Sequence, residues 1–388
     1  MENFILFLML MLRFLRRLFR PRLKPMNVIT ISKKHILHNY SYLASLQEPA
    51  VMFPVLKSNA YGHGLEQVVK ILNKTDAEYL VVDSYPEYVI VKKNSKKPIL
   101  LLWETLDENY KYFDLKRTTF CVYNVSTLEY LAERGKDINI HIFVNTWMNR
   151  EGLDEVQLQD FLKVLEKNPK IHVTGVMSHL HSADEVYYDQ MDAQIQQFKK
   201  MYMEIINHGH TPLWRHIGNT AWIMKITDNF FNAYRPWLGL FGYNPLNSDD
   251  KAYLLGKKLK PAMTISTRVV CLHDVWPGDW VSYNHSRKAS EKEYVAVLPF
   301  GYAEGLSRLA SHKLLFKFGR KYFKQIGTIC MNLCVCQVDD SCALGDEIEI
   351  VSSDANAKNT MYALAEASGT IVYEALVKLD KGIRREVS

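Results

Sequence analysis

Long apolar runs are scarce in this chain of 388 residues. The one from Phe4 to Leu12 spans nine residues, about half of the ~20 that a bilayer-crossing helix needs. Charge of one sign is also scarce once its location is considered. The formal net charge is +6, yet six basic residues (Arg13, Arg16, Arg17, Arg20, Arg22 and Lys24) stand against Glu2 in the first 25 positions. The rest of the chain is therefore almost neutral, which excludes the broad basic footprint of a nucleic-acid binder. Cysteines number six, at 121, 271, 330, 334, 336 and 342, and none forms the paired CxxC of a structural zinc site. They read as small packing residues, with Cys334 and Cys336 on one face of a strand. Neither a metal nor a disulfide framework is implied, and a cytoplasmic compartment is expected. Repeats and low-complexity linkers are missing as well.

Residues 1–25 are expected to lie outside the fold. Their positive charges follow the apolar run, whereas in a secretory signal they precede it. The stretch reads either as a basic segment able to make weak contact with a membrane surface or as an extension upstream of a working start at Met26.

From residue 51 onward a pattern recurs of apolar run, polar loop and helical period. Strands are predicted at 51–56, 79–83, 98–103, 118–122, 138–144, 171–178, 213–217 and 233–241. Helical spacing is clearest in "EVQLQDFLKVLEK" and "DQMDAQIQQFKKMYMEII". Eight such units predict a (β/α)8 barrel over residues 26–257. Beyond Lys258 the chain turns β-rich, with turn signals such as Pro277-Gly278-Asp279, and predicts a mostly antiparallel β domain over 258–388.

A barrel carries its chemistry at the C-terminal ends of its strands. There this sequence places Lys57 after the first strand, Arg150 after the fifth, His179 at the sixth, Asn219 and Thr220 after the seventh and Arg235 in the eighth. Each alone has an ordinary explanation: a rim arginine is usually a salt bridge and a loop lysine is usually solvated. Their recurrence on strand after strand favours a site. A lysine at a strand end can form a Schiff base, because burial and neighbouring cations make a neutral amine available. Asn219, Thr220 and the "PWLG" turn could cradle a phosphate through main-chain N–H groups.

The stretch "VLKSNAYGHG" resembles the pyridoxal-phosphate lysine motif of the alanine racemases, and "VSYNHS", "PFGYAEGLSR", "GTICMN" and "TIVYEAL" resemble the same family, in the same order, from about Asn27 to Arg385. The resemblance implies a homodimer with shared sites, each barrel holding pyridoxal 5'-phosphate and completed by the β domain of the other subunit. It implies that Lys57 holds the cofactor and that Lys57 and Tyr283 are the acid/base pair. Tyr61, Thr220 and Tyr373 would bind the phosphate with the backbone at Trp237 and Leu238, with Asn219 beside them. Arg235 would face the pyridine nitrogen, and His179 would stand near Tyr283. Arg150 and the Met331 N–H would hold the substrate carboxylate. The implied function is interconversion of L- and D-alanine, supplying D-alanine for cell-wall peptidoglycan. Racemases of serine or lysine remain as alternatives. A decarboxylase on the same fold is opposed by Arg235 and Tyr283, and a single-barrel cofactor-binding protein by the large β domain.

The sequence also departs from the family pattern. Phe143 stands where the family often has a lysine whose carbamate orients the arginine corresponding to Arg150. Trp147 replaces a glycine, and Asn149 adds an amide. Asn332, Thr328 and Trp237 stand where aspartate, arginine and glycine are usual.

Overall fold

A computed structural model describes residues 24–186 and 188–388. The predicted extension, apart from Lys24 and Pro25, lies outside these residues. Six parallel strands form one sheet in sequential order: β3 (Leu80–Val82), β4 (Ile99–Leu101), β5 (Thr118–Val122), β6 (Ile138–Phe143), β7 (Ile171–Met177) and β8 (Trp214–His216). β2 (Val51–Met52) and β9 (Ala233–Tyr234) pair with each other and close the barrel. On one side the Leu56 N–H donates to the Val81 carbonyl (2.8 Å). On the other the Asn232 and Arg235 N–H groups donate to the carbonyls of Arg215 (3.2 Å) and Gly218 (2.9 Å). All eight predicted strands are present.

The two closing strands are shorter than predicted because Pro54 and Pro236 have no N–H to donate. Pairing resumes past each of them, from Val55 N–H to the Pro236 carbonyl at 3.0 Å. β5 is buried at every position, as befits a strand covered on both faces. The helix Glu155–Glu166 shows the outer layer well. Asp154 and Gln157 form a reciprocal capping box, and Leu158, Phe161, Leu162 and Leu165 make one buried stripe.

The second half is a nine-stranded sheet. It contains β1 (Val28–Ile31), β10 (Met263–Arg268), β11 (Cys271–Val275), β12 (Glu293–Leu298), β13 (Leu315–Phe318), β14 (Lys321–Ile326), β15 (Cys334–Val338), β16 (Glu347–Val351) and β17 (Arg384–Val387). The order is β11-β12-β15-β14-β13-β16-β10-β1-β17, antiparallel except for β1 beside β17. β1 falls within the span read from sequence as barrel, yet it pairs with β10 and β17 of this sheet. Cys334 and Cys336 are buried on one face of β15, and all six cysteines are free. Among the described residues no helix is long and apolar enough to cross a membrane, and no cluster of side chains suits a metal ion.

After β1, the helix Lys33–Ser45 returns the chain to the barrel, and its fully buried Asn39 joins the two halves. Asn39 Nδ2 donates to the carbonyls of Leu240 (3.1 Å) and Lys260 (2.9 Å), and its Oδ1 accepts from the Lys260 N–H (2.8 Å). Removing the amide strands one buried backbone carbonyl, at Leu240, and two partly buried groups of Lys260, each a loss of roughly 1 kcal/mol. Asn39→Ala should therefore destabilise the protein by about 2–4 kcal/mol, read as a lowered denaturant midpoint. A loss below about 0.5 kcal/mol would contradict this role for the side chain.

Candidate active site

At the C-terminal mouth of the barrel the strand ends enclose a cavity of about 210 Å3. It is lined by Lys57, Tyr61, Trp103, Phe143, Arg150, Glu151, His179, Arg235, Trp237 and Tyr373, with Val55, Leu102 and Met177 as apolar wall. Seven of the site residues expected from sequence thus meet in one place: Lys57, Tyr61, Arg150, His179, Arg235, Trp237 and Tyr373.

Lys57 opens a short turn of unusual hand. Ser58, Asn59, Ala60 and Tyr61 all have φ between 51° and 57°, a left-handed helical turn that L-residues adopt only at a cost of roughly 1–2 kcal/mol each. The surroundings enforce it. The Ala60 N–H donates to the Leu56 carbonyl (2.8 Å), Glu87 Oε1 accepts from the Asn59 N–H (3.2 Å), and Asn59 Oδ1 accepts from the Leu65 N–H (2.9 Å). The His63 ring, fully buried, bonds the Tyr61 carbonyl at 2.9 Å. At Gly62 a Cβ would lie 2.2 Å from the Leu376 carbonyl oxygen, so only glycine lets the turn pack against the C-terminal helix Val372–Val377. The Lys57 ammonium lies 5.2 Å from the centre of the Trp103 ring.

Arg235 is 2% exposed. Its Nη1 donates to His216 Nδ1 (2.6 Å) and the His216 carbonyl (3.0 Å), and its Nη2 to the Ser178 carbonyl (2.6 Å). Nε has no protein partner among the described residues. Burial lowers the guanidinium to about 10, which still leaves it charged at neutral pH. The histidines around it are neutral. Burial, then the Arg235 charge, hold His179 and His216 well below the ordinary histidine value and His141 near 3. Because His216 Nδ1 accepts from Arg235, its Nε2 carries the proton and donates to His141 Nδ1 at 2.8 Å.

The expected phosphate end is built by a turn and a helix start. Asn219 Oδ1 accepts from the Trp222 N–H (3.0 Å) and caps the helix Thr220–Lys225. Thr220 Oγ1 accepts from the N–H groups of Trp237 (3.1 Å) and Gly239 (3.3 Å). With its oxygen engaged by two donors, the hydroxyl hydrogen is left to donate outward. Gly239 is required here, since a Cβ would lie 2.4 Å from Thr220 Cγ2. Leu238 is buried between them. Burial, and then the nearby Tyr373 phenol, raise the cost of ionising Tyr61, and burial does the same for Tyr373. Both stay as neutral donors.

Tyr283 and Met331 do not line this cavity. They lie on the β half and are 67% and 57% exposed. Tyr283 rides a strained turn in which Ser282, Asn284 and His285 all have positive φ. Thr328 ties that turn down through its hydroxyl, which donates to the Tyr283 carbonyl at 3.1 Å. Met331 N–H has no protein partner among the described residues, while its carbonyl accepts from the Ala303 N–H (2.8 Å). Trp147, where a glycine was noted as usual, keeps the left-handed backbone at φ 69° and is 54% exposed.

Three residues of the site escaped the sequence reading. Glu151 and Trp103 line the cavity; the tryptophan at a strand end was a signal, whereas an acid beside a loop arginine reads as a solvated pair. Asp83 is the third. It follows β3, and burial and the neighbouring Glu87 raise it to about 7, with the Lys57 charge opposing.

The chain matches known proteins over nearly its full length. Residues 31–245 match the family described as alanine racemase, N-terminal domain, and residues 262–387 match alanine racemase, C-terminal domain. It is 32% identical over 365 residues to alanine racemase 1 of Clostridium acetobutylicum, covering 92% of this chain and 93% of that protein. The solved alanine racemase of Clostridium difficile 630 superimposes with a TM-score of 0.87 at 27% identity, covering 95% of this chain and 97% of the other. The alanine racemase of Bartonella henselae with covalently bound pyridoxal phosphate shares the fold, with a TM-score of 0.82 at 22% identity over 94% of this chain and 100% of that one.

The Asp83 carboxyl gives this region a pH signature. The folded protein keeps its proton up to about pH 7, whereas the unfolded chain releases it near pH 4. Between those values the folded state binds more protons, so this group's contribution to stability falls as pH rises through the window. Asp83→Asn imitates the protonated side chain. It should raise the melting midpoint at pH 8 and leave it nearly unchanged at pH 4; an equal shift at both would contradict the assignment.

Proposed function

Because this chain belongs to the alanine racemase family, we propose that it interconverts L- and D-alanine with pyridoxal 5'-phosphate held in the barrel cavity. The observation that carries this reading is the cavity's donor set: one lysine amine, a buried guanidinium and the phenols of Tyr61 and Tyr373 in one lining, with the Thr220 hydroxyl behind it bonded to the Trp237 N–H. It fits that cofactor in kind. Lys57 would bind its aldehyde carbon. Tyr61, Tyr373, Thr220 and the backbone at Trp237 and Leu238, with Asn219 setting the helix start, would take its phosphate. The unpartnered Arg235 Nε would face its ring nitrogen. An arginine there does not give up its proton, so the ring would stay unprotonated, which limits side reactions. When bound, the cofactor supplies the electron-withdrawing group that acidifies the substrate's α C–H.

Racemisation removes a proton from one face of the α carbon and returns one to the other, so two acid/base groups must flank it. Lys57 Nζ serves one face from within the barrel. Tyr283 Oη serves the other, and it comes from a second copy of the chain. The exposure of Tyr283 and Met331 away from their own chain's cavity supports this. So do the apolar residues left in solvent on both halves: Trp103, Leu106 and Trp147 on the barrel, and Leu309 and Leu333 on the β half. Arg150 and the free Met331 N–H would hold the substrate carboxylate, and neutral His179 stands by as a hydrogen-bonding neighbour. The six unpaired cysteines fit a cytoplasmic enzyme, whose D-alanine would feed peptidoglycan.

Purified protein should racemise L-alanine faster than L-serine or L-lysine. Lys57→Ala should abolish activity and the visible absorption of bound cofactor. Tyr283→Phe should lower kcat by roughly 10²–10⁴-fold with that absorption intact. Mixing the two inactive variants should restore activity through mixed dimers. A normal rate in Tyr283→Phe would refute the two-base assignment, and no recovery despite proven subunit exchange would refute shared sites.

A further inference from the structure

Glu151 stands out among the cavity residues because it is the only acid among three cations, Lys57, Arg150 and Arg235. Its carboxylate meets the Arg150 fork along one edge: Nε donates to Oε2, and Nη2 donates to Oε1 at 2.7 Å. The two partners differ in freedom. The Glu151 side chain is 12% exposed and that of Arg150 56%. The backbone next to Glu151 is clamped. Leu153 N–H donates to the Phe143 carbonyl (2.9 Å), and Asn145 N–H to the Leu153 carbonyl (2.7 Å), closing the loop at its base. At Gly152, φ 103°, a Cβ would lie 2.8 Å from the Asn145 nitrogen, so the chain there has a single tight path. Glu151 is thus aimed inward by the fold, and Arg150 follows it.

An exposed ion pair of neighbouring residues is ordinarily worth little. This one differs in being bidentate and mostly buried on the acid's side. It engages Nε and Nη2 and leaves Nη1 of Arg150 without a protein partner among the described residues. The wall beside it is Phe143, 4% exposed, which offers no polar atom to hold the guanidinium.

We propose that Glu151 is a positioning residue: it fixes Arg150 by its inner edge so that Nη1 presents to the carboxylate of a small amino acid in the cavity. This rests on the racemase reading for the identity of the substrate. An unrestrained arginine must be ordered when the ligand binds, and that entropy weakens binding. Glu151 has already ordered it. Its negative charge also offsets part of the positive charge at the mouth, including that of Arg235, which it favours in the charged form.

The test compares cofactor-loaded wild type with Glu151→Gln and Glu151→Asp. Propionate serves as the probe, because it has the carboxylate of alanine and no amine to react. In Glu151→Gln the propionate dissociation constant, measured by calorimetry, and the KM for alanine should both rise roughly tenfold. The change in kcat should be smaller, with the melting midpoint and cofactor absorption as in wild type. Glu151→Asp, which keeps the charge but reaches less far, should fall between. Propionate binding within twofold of wild type would overturn the proposal. Tighter binding would overturn it too, by showing that Glu151 competes with the ligand for Arg150. A lowered melting midpoint with equal losses in every parameter would assign Glu151 to loop folding instead. If wild type binds propionate in a Glu151-dependent way but racemises nothing, the racemase reading falls and the positioning role stands. If it racemises and Glu151→Gln binds propionate normally, the reverse holds.

Discussion

A guanidinium buried inside the barrel, with no carboxylate bonded to it among the described residues, is the constraint on which the rest of the site depends. A buried charge is tolerated only where hydrogen bonds replace the lost water. Arg235 finds them in the carbonyls of Ser178 and His216 and in the His216 ring. The first consequence is that the surrounding histidines cannot be cations. His179, His216 and His141 are all held neutral by burial and by this charge. The second is tautomeric order: accepting from Arg235 forces His216 to donate onward to His141. The barrel interior is therefore polar but rigid, and the mouth above it is a positive field suited to anions. Glu151 is the acid that moderates that field.

Strain marks the same places. Among the described residues ten non-glycine residues have positive φ, and nine of them lie in three loops. Those loops carry Lys57, Arg150 and Tyr283. Such conformations persist only where the surroundings impose them, and here those constraints are visible: Glu87 and Asn59 at the lysine turn, the reciprocal Asn145–Asn149 amide contacts at the arginine loop, and Thr328 with Ser282 at the tyrosine turn. In each case the backbone is held rigidly so that one side chain projects in a defined direction, which is what positioning a reacting group requires.

Much of this was legible in the sequence, because parallel strands buried on both faces leave dense apolar runs. All eight barrel strands could be located, and with them the strand ends that carry Lys57, Arg150, His179 and Arg235. What local pattern could not show is long-range pairing. β1 looks like the natural opening of the barrel, yet its partners β10 and β17 lie more than 200 residues away, so only the folded chain assigns it to the other sheet. Shortened β2 and β9 reflect Pro54 and Pro236, whose missing N–H breaks the ladder without breaking the strand. Glu151 was invisible for a different reason. An acid next to an arginine in a loop reads as a solvated pair, and only the closed base of the loop turns it inward. Asp83 was missed likewise, since its raised pKa comes from burial beside Glu87.

On the proposed reading, this site removes the α proton of alanine, returns one from either face and changes nothing else in the molecule. Incubating the protein with L-alanine in D2O tests this most directly, by following deuterium at the α carbon and the chirality of the product together. The account predicts deuterium incorporation into both enantiomers, with an equal final mixture of L- and D-alanine and no pyruvate or ethylamine. D-alanine that keeps its original α hydrogen throughout, or products of deamination or decarboxylation in place of D-alanine, would contradict it.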